Sequence, residues 1–175
     1  TRRVVLQAYG DARQMRLEDA EAPPPAPGEV RIRQRAIGLN YIDVYLRKGQ
    51  IPNMLAPGGT PGMEAAGAVL DCGEGVHGFL RDERVAYLGP QPGAYTGVRN
   101  VPAAWLVRLP PAVDDEVAAA LLLKGLTADA LLHDVAPVKP GARWLVHAAA
   151  GALGQVLCQW AGRLGARVVG TVSSE

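Results

Sequence analysis

Gly151 and Gly154 stand three residues apart in the stretch Ala148-Ala149-Ala150-Gly151-Ala152-Leu153-Gly154. A turn of such small residues leaves backbone N–H groups unblocked at the start of a helix, where they and the helix dipole can receive an anion. The last glycine of such a turn also lets the helix close onto the preceding strand. The usual dinucleotide spacing is G-x-G-x-x-G, and here Ala149 fills the first position. Taken alone, the pattern suits close packing without any ligand equally well. Its surroundings favour the chemistry. The apolar run 143–147 precedes the turn, and residues 155–164 carry Val156, Leu157, Trp160 and Leu164 at helical spacing. Gly165 then ends the helix, and 166–172 make a second apolar strand. Ala150, Gly151, Ala152, Leu153 and Gly154 are thus expected to hold the diphosphate of a dinucleotide.

The end of the second strand bears on which dinucleotide. A site for NAD usually places a carboxylate there to hold the ribose hydroxyls. Residues 169–174 read Val-Gly-Thr-Val-Ser-Ser, with no acid before Glu175. A carboxylate would repel a 2′-phosphate, whereas Ser173 and Ser174 can donate hydrogen bonds to it. The strand end predicts NADPH; the competing use of the two serines is as ordinary loop residues.

The elements that must position this turn belong to two patterns. Over the first hundred residues the signals are those of β structure. Residues 3–8 are β-rich and turn at Gly10-Asp11, and 14–18 can return antiparallel. The run Ala22-Pro23-Pro24-Pro25-Ala26-Pro27-Gly28 cannot donate to a ladder and reads as an exposed connector. Val30, Ile32, Gln34 and Ala36 then alternate with Arg31, Arg33 and Arg35, the period of a strand with one charged face. Residues 65–69 and 84–88 read as further strands, and 41–47 as one or two helical turns. Short strands at this spacing predict a small antiparallel barrel over residues 1–113.

After Pro110-Pro111 the pattern becomes helical. Asp114 is a candidate cap, Asp115 and Glu116 suit the first turn, and 117–123 form a buried run. Gly125 is expected to interrupt this helix before it resumes over 127–135, so that 114–140 form linking helices. Residues 141–175 then read strand–turn–helix–strand, the opening of a doubly wound parallel sheet. Two strands fall short of the about six that such a sheet needs, so only its beginning is expected here.

Composition narrows the function classes. Of 175 residues, 49% are hydrophobic and 20% charged, and 18 basic against 17 acidic residues leave a net charge of +1. Such a balance offers no field for holding a nucleic-acid backbone. The two cysteines, Cys72 and Cys158, are far apart and in no metal spacing, which excludes a disulfide framework and favours a reducing compartment. The first residues turn polar too quickly for a signal peptide, and no apolar run approaches the ~20 residues of a membrane span. A soluble, cytoplasmic protein is expected.

Four further segments carry a resemblance. Ala36-Ile37-Gly38-Leu39-Asn40-Tyr41-Ile42-Asp43, Pro61-Gly62-Met63-Glu64-Ala65-Ala66-Gly67, Leu123-Lys124-Gly125-Leu126-Thr127 and His147-Ala148-Ala149-Ala150-Gly151 follow one another in an order and spacing that resemble the quinone oxidoreductases. These are the ζ-crystallin-like branch of the medium-chain dehydrogenase/reductases, and the resemblance covers the whole chain as the N-terminal portion of such a protein. It implies an α/β plus β architecture: a GroES-like β-barrel catalytic domain followed by the beginning of a Rossmann domain, with the active site in the cleft between them. Zinc-dependent relatives place Cys, His and Cys where this chain has Asn40, Met63 and about Leu123. None of these three makes an ordinary zinc site, so no metal is expected.

Without zinc, hydrogen-bond donors must receive the charge that develops on a substrate oxygen. The resemblance nominates Asn40, Lys124 and Tyr45 for this, and Tyr41, Ile42, Asp43 and Thr127 for contact with the cofactor. Each nominee has a plainer use. Asn40 can hold a turn, Tyr45 can pack, and Lys124 can bind helix-end carbonyls. Ala152 departs from the family's glycine, and Gln50-Ile51-Pro52 from the tyrosine that many relatives carry after Gly49. The basic residue that usually meets the 2′-phosphate would fall beyond Glu175. His147 reads as a hydrogen-bonded core residue and Glu64 as structural, for instance in a buried salt bridge; His77, His133 and His147 make no constellation.

The function implied is NADPH-dependent reduction of quinones without zinc. The alternative on the same scaffold is an NADPH-dependent enone or alkenal double-bond reductase. The alternative of another class is a non-catalytic, crystallin-like or RNA-binding protein. The resemblance further implies a full-length homodimer. Residues 1–175 alone are expected to be inactive.

Overall fold

The computed structural model describes residues 1–173. The chain divides into two units, Thr1–Leu122 and Leu123–Glu175. The first begins with β1 (Arg2–Leu6), a single 3-10 turn and β2 (Met15–Asp19), paired antiparallel from Arg2 opposite Asp19 to Leu6 opposite Met15. Then come β3 (Glu29–Ile37), α1 (Tyr41–Arg47), β4 (Glu64–Cys72), β5 (Arg84–Leu88), β6 (Val98–Pro102) and β7 (Leu106–Arg108). The last five strands form one antiparallel sheet in the order β6-β3-β4-β5-β7.

The alternation read in β3 is the reason this sheet has a core. Val30 and Ile32 are fully buried and pack with Ala65, Val69, Val85, Tyr87 and Val101, while Arg33 and Arg35 lie on the exposed side. The small residues of β4 have a different cause. Ala66 and Ala86 sit on the opposite face, against Ala118 and Ala119 of α2 (Asp115–Ala130). A strand covered on both faces has little room, and a Cβ at Gly67 would overlap the Arg33 carbonyl oxygen of the neighbouring strand.

The expected barrel region is built from this five-stranded sheet and the β1–β2 hairpin. The β1–β2 hairpin is a separate ladder that joins the rest through the bridge between Arg3 and Thr96 and through the backbone bonds of Leu6 with Gly58 and Gly59. Strands β6 and β7 carry no apolar alternation strong enough to read in advance. Their partners, β3 and β5, define them.

Gly125 does not break α2, contrary to the sequence expectation. The helix runs unbroken from Asp115 to Ala130 and ends in a single π-type turn, Leu131–Val135. A helical glycine costs only about 1 kcal/mol relative to alanine, and the surrounding run of good helix formers outweighs that. At the other end of α2, the Ala118 N–H bonds the Asp114 carbonyl, and Asp115 accepts from Arg84 at 3.0 Å and from Arg35 at 3.5 Å. Its first turn is thereby tied to β5 and β3.

The second unit contains β8 (Arg143–Val146), α3 (Ala152–Arg163) and β9 (Arg167–Gly170). Strands β8 and β9 pair in parallel, from Arg143 opposite Arg167 to Val146 opposite Gly170, which makes a β–α–β unit. Leu157 and Ala161 of α3 pack with Val146, Ala128 and Leu132.

Candidate functional site

Two groups of candidate residues emerge, one in each unit. In the second unit the turn between β8 and α3 is drawn tight. The Gly151 N–H bonds the Ala148 carbonyl at 2.8 Å, the Gln155 amide donates to the Ala150 carbonyl at 2.8 Å, and the Ala149 N–H reaches the Thr171 carbonyl at 2.9 Å. Any Cβ at Gly154 would overlap the Ala148 carbonyl oxygen, so only glycine fits there. Ala148 itself is left-handed, with φ 52, a conformation costly for alanine. With Gly151 as the N-cap, the first intrahelical bond runs from the Gln155 N–H to the Gly151 carbonyl. The N–H groups of Ala152, Leu153 and Gly154 are therefore first-turn donors that an α-helix cannot satisfy internally.

This cradle of small residues, narrow backbone and three spare donors suits a diphosphate. Ala152, the departure from the family's glycine, is outside the left-handed region and needs no glycine. Ser173 is exposed past the end of β9, and Ser174 lies outside the described residues. His147 is exposed, not a core residue: its Nδ1 meets the Thr171 hydroxyl at 3.0 Å, because β8 ends at Val146 and turns its next side chain outward. On α2, Thr127 bonds the Leu123 carbonyl with its hydroxyl at 2.7 Å, and Lys124 is half-buried.

The other group surrounds the N-terminus of α1. Asn40 is the N-cap and is 8% exposed. Its Nδ2 donates to Glu64 Oε1 at 2.7 Å, which fixes which way the amide faces and leaves one further N–H on Nδ2. Glu64, the first residue of β4, is fully buried. Gly38 permits this approach, since a Cβ there would overlap both the Glu64 side chain and the Ala119 carbonyl oxygen.

Asp43 turns inward, with 5% exposure. Its Oδ2 accepts from the Asn40 N–H at 2.9 Å and from the Tyr95 hydroxyl at 2.9 Å, and its own N–H bonds the Asn40 carbonyl at 3.0 Å. Both the carboxylate and the N–H of Asp43 are thus engaged within this turn. Burial pushes the Asp43 carboxyl above its ordinary range, against the Asn40, Tyr95 and Gly62 donors, and Glu64 raises it further. The Gly62 amide is near enough to favour the anion, yet Asp43 Oδ1 completes no hydrogen bond. Burial, then the neighbouring Asp43, push the Tyr95 phenol up as well, so it remains a donor at any working pH.

Tyr41 and Tyr45 point outward from α1, 68% and 43% exposed, with their rings edge-to-face at 5.1 Å. Ile42 is half-buried against the cluster of Leu6, Leu46, Leu55 and Met63. Tyr95 was not legible as a site residue. It lies in a loop rich in glycine and proline without periodicity, and the one available signal was Gly62, whose φ of 93 and missing side chain make room for the Tyr95 ring. Among the described residues no three His, Cys, Asp or Glu side chains gather as a metal-ligand set, and no helix is long and apolar enough to cross a membrane.

Known proteins resemble the chain in sequence and in fold. Residues 26–111 match the alcohol dehydrogenase GroES-like domain. The chain is 47% identical to a 2-haloacrylate reductase from Burkholderia over 90% of its own length and 49% of the relative's. It is 43% identical to a quinone oxidoreductase from Pseudomonas aeruginosa, over 99% of the chain and 53% of the relative. Among solved structures, Escherichia coli quinone oxidoreductase complexed with NADPH superposes with a TM-score of 0.95 at 38% identity, over 99% of this chain and 53% of that one. The chain thus spans about half the length of the relatives it matches.

Proposed function

The chain belongs to the quinone oxidoreductase branch of the medium-chain dehydrogenase/reductase superfamily, and from that membership we propose that the full-length protein is an NADPH-dependent reductase of quinones that works without zinc. The observation that carries the proposal is the turn before α3, where Gly154 can be nothing but glycine and three helix N–H groups are left to an anion. When bound, NADPH supplies a hydride from C4 of its nicotinamide. The chain's own part is to hold and to neutralise. The amides of Ala152, Leu153 and Gly154 receive the diphosphate. Tyr41, Ile42, Asp43 and Thr127 would contact the rest of the cofactor, and Ser173 and Ser174 would donate to the 2′-phosphate.

Asn40 places its remaining Nδ2 hydrogen on the acceptor oxygen as negative charge develops there, and Lys124 and Tyr45 are the further donors. A donor already fixed by Glu64 needs no reorganisation at the moment of transfer. The groups bonded to Asn40 in the first unit are carboxyl groups, Glu64 and Asp43. The 47% identity to a 2-haloacrylate reductase supports the second reading, reduction of an activated carbon–carbon double bond on the same site.

Fluorescence titration of the full-length protein with NADPH and NADH tests the cofactor. Clear preference for NADPH is expected, and preference for NADH would overturn the role given to the serines. Rates with a simple benzoquinone and with an α,β-unsaturated ketone then separate the two readings.

A further inference from the structure

We infer that Tyr95, acting through Asp43, is a positioning residue for Asn40, a role that rests on the function proposed above for the Asn40 amide. Helix α1 has seven residues, too few to hold its own shape, so its N-terminus must be fixed from outside. Asp43 does this from within the helix by accepting the Asn40 N–H at 2.9 Å, one arm of the capping box that the two residues make. Local capping logic has no place for the second donor on the same oxygen. The Tyr95 hydroxyl reaches Asp43 Oδ2 at 2.9 Å from 52 residues away in sequence.

Tyr95 is itself held firmly. Its N–H bonds the Pro61 carbonyl at 2.9 Å, its carbonyl accepts from Val4 of β1 at 2.8 Å, and its ring fills the space left by Gly62. The chain of contacts therefore runs from the loop and β1, through a phenol and a carboxylate, to the backbone of Asn40. Glu64 fixes the amide end of the same residue. Because Asp43 Oδ1 completes no hydrogen bond, the carboxylate leans on Oδ2 and its two donors. The groups facing Asp43 are the Asn40 and Gly62 amides and the Tyr95 hydroxyl, which favour the anion, and Glu64, which opposes it.

The test uses the full-length protein, its NADPH turnover with a benzoquinone, and the variants Tyr95→Phe, Asn40→Ala and the two combined. Tyr95→Phe keeps the ring and removes one hydrogen bond to a charged group, so about a tenfold loss in kcat is expected with NADPH affinity unchanged. In the Asn40→Ala background the same change should cost nothing more, since a residue that acts through Asn40 has nothing left to position. Loss of a donor that favours the anion raises the Asp43 pKa, so the acid limb of the kcat profile should move to higher pH in Tyr95→Phe.

If Asn40→Ala keeps wild-type turnover, the role of Asn40 falls and this inference with it. If Asn40→Ala is impaired, but Tyr95→Phe leaves kcat and the acid limb unmoved or adds its full loss in the double variant, the positioning role alone is overturned. Should Tyr95→Phe show no cooperative thermal transition, Asp43→Asn replaces it in the cycle. Its loss should be absorbed by Asn40→Ala and its acid limb abolished, and an additive loss or a retained limb would refute the inference.

Discussion

Ala148 and Gly154 share one tight turn and stand in opposite situations. Ala148 occupies the left-handed region at φ 52, where glycine would be at ease, while Gly154 has no room for the methyl group that Ala148 carries. Ala148→Gly relieves a cost of roughly 1–2 kcal/mol and adds back about 0.5–1 kcal/mol of unfolded-chain entropy, so a modest gain in stability is expected. Gly154→Ala forces backbone apart and should cost about 1–3 kcal/mol, and it should also weaken NADPH binding by shifting the first turn of α3. Denaturant unfolding and an NADPH titration of the full-length variants check both; a neutral Gly154→Ala in both would remove the cradle from the site. The need for Gly154 was legible in the sequence because its spacing from Gly151 is a known device. The strain at Ala148 was not, because an alanine does not announce a positive φ. Asn40 was legible through the residues that flank it, whereas the partner that matters to it, Tyr95, makes its contact across a fold that no local pattern encodes.

At the scale of elements, α2 shows how far local preference can be overruled. Gly125 reads as a break, yet the helix runs through it, since the apolar run around it is good helix sequence and its N-terminal turn is tied down by Arg84 and Arg35 on Asp115. A Cβ at Gly125 would meet nothing within 4 Å, and the residue does not have a positive φ. Gly125→Ala should therefore raise stability by about 0.5–1 kcal/mol through the entropy of the unfolded chain. Thermal unfolding of the variant reads this directly, and a destabilised variant would mean that the helix is not formed through residue 125 in solution. The sheet was legible where one face alternates, as in β3, and illegible where burial is two-sided or the strand is short. The alanines of β4 carry no period because α2 covers their second face, and the three residues of β7 are too few to show one. The links from the β1–β2 hairpin to the rest, the Arg3–Thr96 bridge and the backbone bonds of Leu6 with Gly58 and Gly59, are long-range pairings beyond the reach of any local signal.

At the scale of the whole molecule, the two units are unequally equipped. Unit Thr1–Leu122 carries three apolar clusters, and β4 is buried on both faces. Among the described residues, unit Leu123–Glu175 carries one cluster, and its two-stranded sheet leaves Leu145 60% and Val169 65% exposed. Burial of apolar area is the main favourable term in folding, at about 25 cal/mol per Å², so a sheet with one apolar face in water gains less stability than one covered on both. Local opening should then differ between the units by more than any difference within them. Hydrogen exchange on residues 1–175 is expected to find the β8 and β9 amides far less protected than those of β3 and β4. The same inequality bears on function, because the diphosphate cradle hangs from β8 and is only as firm as that strand. Turnover of residues 1–175 with NADPH and a quinone should be negligible for this reason. Slow exchange throughout β8 and β9 together with robust NADPH oxidation would contradict the expectation, and would mean that the small second cluster alone makes the cradle rigid enough to work.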